Sequence, residues 1–217
     1  MKNYKNIKIN FLLFFIFFLE INGNVFKILR TMKKNCVIGL GNKGIDFDFT
    51  RHNFGKDFIN WFSNYSSISL LKKDNYYYFE KIYNNSSVNF IIPDTYMNES
   101  GIIIKNIENK FDKLEDLIIL HDDLDVNFEK IVLRDKEGRG LRGHNGLRSI
   151  IENLKKSKKF KNEIELKKLP IFLSLGIGRP SDKTLISDFV LQKFNFSEKQ
   201  KLEKIFFNII NILEKLI

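Results

Sequence analysis

Apolar runs of strand length alternate with apolar stripes of helical spacing from Val37 onward, and this alternation limits the fold more than any other feature. Such a chain packs as α/β layers, a mostly central sheet covered by helices. Val37–Leu40 reads as a short strand running into a Gly-rich loop, Gly41 to Gly44. Phe54, Phe58, Trp61, Phe62 and Tyr65 then recur at helical spacing. Tyr76–Tyr83 and Val88–Ile92 read as strands separated by the turn signal Asn84-Asn85-Ser86-Ser87. Ser100 is placed to cap a helix bearing Ile104, Ile107 and Phe111. Leu117–Leu120 is uninterrupted and apolar, the pattern of a strand buried on both faces. Ile131–Leu133 and Ile171–Ile177 are further strands, Leu147, Ile150, Ile151 and Leu154 mark a helix, and Leu185–Leu191 fits either type. Ser197 with Gln200 forms a capping box for a last helix whose stripe runs Leu202, Ile205, Phe206, Ile209, Leu213 and Leu216. Lys155–Lys168 is charge-rich and reads as a solvated loop or helix extension.

With 217 residues, 43% of them hydrophobic, the chain can fill one sizeable core. The formal charge of +10 leans toward a polyanionic partner, although five basic residues and one acidic residue lie within residues 1–31. Cys36 is the single cysteine, so an internal disulfide is excluded and a reducing compartment is favoured. Lys2, Lys5 and Lys8 precede the apolar run Phe11–Leu19, too short to span a bilayer as a helix but like the apolar part of a signal peptide. Two readings stay open. Residues 1–31 are a targeting leader, which would send the protein to a plastid or mitochondrial matrix, or Met32 is the true start and the protein is cytoplasmic. Either way the fold is assigned to residues 32–217.

The three histidines fall among polar residues just outside apolar runs: Thr50-Arg51-His52-Asn53, His121-Asp122-Asp123 and Gly143-His144-Asn145-Gly146. In open α/β sheets ligands bind where strands end. Two other chemistries fit less well. Gly39-Leu40-Gly41-Asn42-Lys43-Gly44 matches the dinucleotide fingerprint, yet the helical pattern starts about ten residues too late and no acidic residue closes a second strand. A metal site from His52, Asp122 and His144 lacks helical ligand spacing and any cysteine cluster. As nucleophiles, Cys36 sits inside a strand and Ser100 is better used as a cap.

Taken in order, the motifs resemble one family. Gly39-Leu40-Gly41-Asn42, Thr50-Arg51-His52-Asn53, Thr95-Tyr96-Met97-Asn98-Glu99-Ser100-Gly101, His121-Asp122-Asp123-Leu124-Asp125, Gly143-His144-Asn145-Gly146 and Gly176-Ile177-Gly178-Arg179-Pro180 are similar to those of bacterial-type peptidyl-tRNA hydrolases. The resemblance implies a single-domain, three-layer α/β/α fold with a twisted, mixed, mostly parallel sheet. It also implies a monomer that needs no cofactor and no metal, has no stable membrane association and acts on peptidyl-tRNA. His52 then corresponds to the base that activates water, and Asp122 to its orienting partner. Asn42, Met97, Asn98 and Asn145 correspond to the substrate-binding set, while His121 and His144 are left in supporting roles. The residue types suit this chemistry, since a neutral imidazole takes a proton near pH 7 and Asn grips an amide backbone without reading side chains.

Three departures stand out. Lys43 replaces a proline, arginines enter the Gly-rich stretch before His144, and Ser174 stands where a basic residue is usual. Phosphate contacts to tRNA are therefore expected from Arg134, Lys136, Arg139 and Arg142, assisted by Lys183. The rival reading is a non-catalytic RNA-binding member of the same fold, against which the intact His52, Asp122 and Asn set argues.

Overall fold

Seven strands form one sheet in the order β2-β3-β4-β1-β5-β7-β6 in the computed structural model, which describes residues 32–83, 86–134, 143–165 and 168–217. The strands are β1 (Lys33–Gly39), β2 (Leu71–Lys73), β3 (Tyr76–Tyr83), β4 (Ser86–Pro93), β5 (Leu117–Asp123), β6 (Ile131–Arg134) and β7 (Ile171–Gly176). The helices are α1 (Phe54–Tyr65), α2 (Ile104–Ile107), α3 (Asn145–Lys156), α4 (Lys161–Glu165), α5 (Ile186–Leu191) and α6 (Phe196–Leu216). The chain divides into two compact units, Met1–Lys33 and Lys34–Ile217; residues 1–31 of the first lie outside the described residues. Among the described residues no helix is long and apolar enough to cross a membrane.

The sheet is mixed. Its parallel pairs, β1 with β5 and β5 with β7, lie in the middle, whereas β2·β3, β3·β4 and β6·β7 are antiparallel. The consecutive strands β2, β3 and β4 pair as antiparallel hairpins, β6 reaches β7 only by way of α3 and α4, and the buried centre carries the parallel pairs of the expected mixed sheet. All seven residues of β5 are buried. Alternate side chains of the central strands enter two cores. Val37, Ile118 and Leu120 join Phe54, Phe58 and Phe206 on one face, and Ile38, Ile119 and Phe172 join Ile104, Leu147 and Ile150 on the other. Helices therefore cover both faces, the three-layer α/β/α arrangement. The α1 layer approaches closely because Gly39 and Gly55 face each other: a Cβ on Gly39 would meet the Gly55 carbonyl oxygen at 2.3 Å.

Two local expectations are corrected, and two further segments are resolved in detail. Ser100 does not cap a helix; it lies within a 3-10 stretch, Met97–Ile103, and its hydroxyl donates to the Met97 carbonyl at 2.9 Å. The last helix is capped by Asn195 with Glu198, two residues before the expected box, because the Asn195 and Glu198 side chains each bond the other's backbone N–H. Leu185–Leu191 resolves as helix, mostly α5. Within Lys155–Lys168, Phe160 is buried and stacks on Phe111 at 4.7 Å, and Ser157 is buried and donates to Glu108 at 2.6 Å. Lys155 and Lys156 extend α3 and the described lysines from Lys155 to Lys161 stay exposed, as expected, while Ser157 and Phe160 anchor the stretch to the core.

Candidate active site

Three chain segments meet at the C-terminal end of β5. The strand itself delivers His121, Asp122 and Asp123; a 3-10 turn at Arg51–Asn53, leading into α1, delivers His52; and the start of α3 delivers His144 and Asn145. His52 Nδ1 lies 2.8 Å from Asp122 Oδ1, and His144 Nε2 lies 2.9 Å from the same oxygen. The network assigns the protons. His144 is the N-cap of α3, and its Nδ1 accepts the Leu147 N–H at 3.3 Å. A backbone N–H can only donate, so His144 Nδ1 is bare and Nε2–H donates to Asp122. His52 Nδ1–H donates to the same oxygen, which leaves His52 Nε2 free as an acceptor.

His121 completes the arrangement from behind. Its Nδ1–H donates to the Asp122 carbonyl at 2.9 Å, and its Nε2 accepts from the Ser174 hydroxyl at 3.1 Å. Ser174 in turn accepts from Arg134 Nε at 3.3 Å. Burial, with His144 close by, pushes the His121 imidazole down to about 4, so it stays neutral. For Asp122, burial works against ionisation, but His52 and His144 outweigh it and hold the carboxyl well below its usual range. Burial also works against charge on His52, and Asp122, through its charge and its hydrogen bond, reverses the balance and raises the imidazole above its ordinary value.

His52, Asp122 and Asn145 line a cleft of about 330 Å³, together with Arg179 and Val190. Asn145 is exposed at the first position of α3. Asn42 is buried and held through its backbone and its side-chain oxygen. Its N–H donates to Asn53 Oδ1 (2.7 Å), its carbonyl accepts from Asn53 Nδ2 and Lys56 Nζ (both 3.1 Å), and its Oδ1 accepts the Met97 N–H (2.8 Å). Asn42 Nδ2 has no partner among the described residues. Met97 is buried, packed against Gly146 beside His144, while Asn98 is exposed next to it. Arg134 ends β6 and is turned back onto Asp123 (3.3 Å) and Ser174. Lys136, Arg139 and Arg142 lie outside the described residues; Lys183 opens a 3-10 turn, Lys183–Leu185.

His52, Asp122 and His144 also bring ligand atoms within 4.8 Å of one another, as a metal set would. The cap on His144 weighs against that use. With Nδ1 accepting a backbone N–H, Nε2 keeps its proton and has no lone pair to give.

Comparisons with known proteins identify the family. The family model for peptidyl-tRNA hydrolase matches residues 36–217. A peptidyl-tRNA hydrolase of Staphylococcus aureus (strain JH9) is 35% identical over 185 residues, 84% of this chain and 90% of the relative. The chain belongs to the peptidyl-tRNA hydrolase family. Among solved structures, a peptidyl-tRNA hydrolase in complex with n-propanol is 28% identical with a TM-score of 0.69, covering 84% of this chain and 88% of that one. A peptidyl-tRNA hydrolase from Acinetobacter baumannii is 26% identical with a TM-score of 0.63, covering 84% and 93%.

Within this family member, several residues of the site were not assigned from sequence. His144 shares the Asp122 oxygen with His52, a grouping that the sequence had suggested only as a disfavoured metal set. Asn53 and Lys56 fix Asn42; the position of Asn53 inside the histidine motif was the one signal that pointed to it. Arg51 anchors the His52 turn: its Nη2 donates to both Glu198 oxygens (3.0 and 2.8 Å), and its guanidinium lies 4.3 Å from the Phe189 ring centre. Lys43, in place of proline, sits over the Tyr96 ring at 4.8 Å. Ser174 is fully buried, so this position on β7 presents nothing to a phosphate.

Proposed function

We propose that the chain hydrolyses the ester joining a peptide to the 3′-terminal ribose of tRNA, releasing the tRNA for reuse. The observation that carries this reading is His52 with Nδ1 held by a buried carboxylate and Nε2 unoccupied at a cleft. Nε2 takes a proton from water as its oxygen attacks the ester carbonyl, forming a C–O bond and an oxyanion. When the tetrahedral species collapses, the bond to the ribose oxygen breaks and the His52 imidazolium returns the proton to that oxygen. Asp122 stabilises the imidazolium in between. Free amide donors suit the peptide and the oxyanion, and Asn42 Nδ2, Asn98 and Asn145 are the groups assigned to them, with Met97 as an apolar wall. Lys136, Arg139, Arg142 and Lys183 are assigned to tRNA phosphates, and Arg134, also expected there, is instead engaged with Asp123 and Ser174.

The test is incubation of the full chain with an N-acetylaminoacyl-tRNA, following release of the N-acetylamino acid. Turnover at a rate proportional to protein supports the reading. Binding without release would instead favour a non-catalytic RNA-binding role.

A further inference from the structure

The cleft carries an electrostatic problem. Asp122, Asp123 and Asp125 all line it, and among the described residues Arg179 is its one Lys or Arg side chain. Such a wall repels a polyanion unless each carboxylate is matched. Asp122 is matched by His52 and His144, and Asp123 by Arg134 at 3.3 Å; both carboxylates are buried. Asp125 differs. Its side chain is 47% exposed, and it pairs with Arg179, whose side chain is 45% exposed.

Arg179 is held by one edge only. Its Nε and Nη2 both reach the single oxygen Oδ1 of Asp125, at 2.8 and 2.7 Å. Nη1 has no partner among the described residues, so the outer edge of the guanidinium remains open to a second anion. The backbone places it there by construction. Gly178, just before Arg179, has φ +68, a conformation that a side chain would strain. The N–H groups of Gly176, Ile177 and Gly178 donate to the carbonyls of Lys130, Asp123 and Val126 at 2.9, 3.1 and 2.9 Å. The turn bearing Arg179 is thus laced to the segment bearing Asp125.

We propose that Arg179 binds a phosphodiester oxygen at the 3′ end of the tRNA, with Asp125 holding the guanidinium ready until the phosphate arrives. The inference rests on the proposed ester cleavage. If the scissile ester lies at His52, the next anionic group along the nucleic acid is the last internucleotide phosphate, and Arg179 is the cation that shares the cleft. Asp125 also makes the site selective, since its charge lowers the affinity of Arg179 for small anions from solution.

The experiment uses the full chain with Arg179→Ala, Arg179→Lys and Asp125→Ala. Binding of uncharged tRNA is measured across a salt series, and cleavage is followed on N-acetylaminoacyl-tRNA and on the N-acetylaminoacyl ester of adenosine, which lacks the phosphate. Arg179→Ala should raise KM for the tRNA ester about tenfold more than for the adenosine ester. It should also flatten the slope of log affinity against log salt by about 0.7. Arg179→Lys should keep the slope, and Asp125→Ala should bind tRNA at least as tightly as the unaltered chain. An unchanged slope in Arg179→Ala, or equal losses on both esters, would overturn the proposal. Should the unaltered chain cleave neither ester, the hydrolase reading falls, and the salt slope with uncharged tRNA still decides the role of Arg179.

Discussion

His52 works between two opposing forces: burial disfavours its charged form, and Asp122 favours it more strongly. The imidazole therefore titrates above its ordinary value, and the unprotonated base gains population as pH rises through that raised value. His52→Ala should lower turnover by about 10²–10⁴-fold, the usual yield of a general base. Its circular dichroism spectrum should match that of the unaltered chain, since His52 is partly exposed and contributes little to the core. A variant retaining a tenth of the rate or more would exclude His52 as the base. Asp122→Asn tests the partner through pH rather than rate alone. Without the carboxylate, burial is left to dominate and the His52 titration moves down. The acid limb of the rate profile should shift to lower pH while the plateau falls roughly tenfold to a hundredfold. A fall in rate with the limb unmoved would mean that Asp122 does not set the basicity of His52.

The elements around the site hold it by side chains that sequence patterns do not reveal. Glu198 bonds the Asn195 N–H at the start of α6 and grips Arg51 beside His52, so one carboxylate ties a helix cap to the site. Helix α1 carries a different device. Asp57 is buried, its Oδ2 has no hydrogen-bond partner among the described residues, and burial pushes its carboxyl up to about 8. The backbone N–H of Phe49, a residue with φ 61 in the loop before His52, is among the groups that act on it. A raised carboxylate pKa means that the folded state keeps a proton the unfolded state has lost. Stability should thus decline as pH rises from the unfolded value near 4 toward about 8, and level off above that. Asp57→Asn removes the titration. It should gain stability relative to the unaltered chain at pH 8, by on the order of a few kcal/mol, and gain little at pH 4. Urea melts at the two pH values measure this; an equal shift at both would show that Asp57 is ionised in the folded state.

For the whole molecule, the family match begins at residue 36, and the packed unit runs from Lys34. A chain starting at Met32 should accordingly be soluble and cleave N-acetylaminoacyl-tRNA at a rate within about twofold of the full chain, since no motif of the site lies before it. A soluble but inactive shortened chain would give residues 1–31 a part in the activity. Much of this architecture was legible beforehand. Alternating periods of about two and 3.6 named the layers, and the unbroken run Leu117–Leu120 marked the central strand, because burial on both faces leaves no polar position. Edge pairing and helix starts were less legible. Asn195 and Ser197 are both competent caps, and Glu198, which completes the Asn195 box, is also bound by Arg51, a residue far away in the chain.

The letters by themselves determined the layer order, the succession of motifs, and through them the family. They could do so because hydrophobic periodicity and short motifs are local properties, written within a few residues. Only the tertiary structure decided that His52 and His144, 70 and 22 residues from Asp122, share one of its oxygens. It also decided that a helix cap sets the tautomer of His144 and that Arg134 and Arg179 each answer one carboxylate of the cleft. Proton positions and charge pairing depend on directions and distances of a few ångströms between distant segments, and these exist only once the strands have brought those segments together.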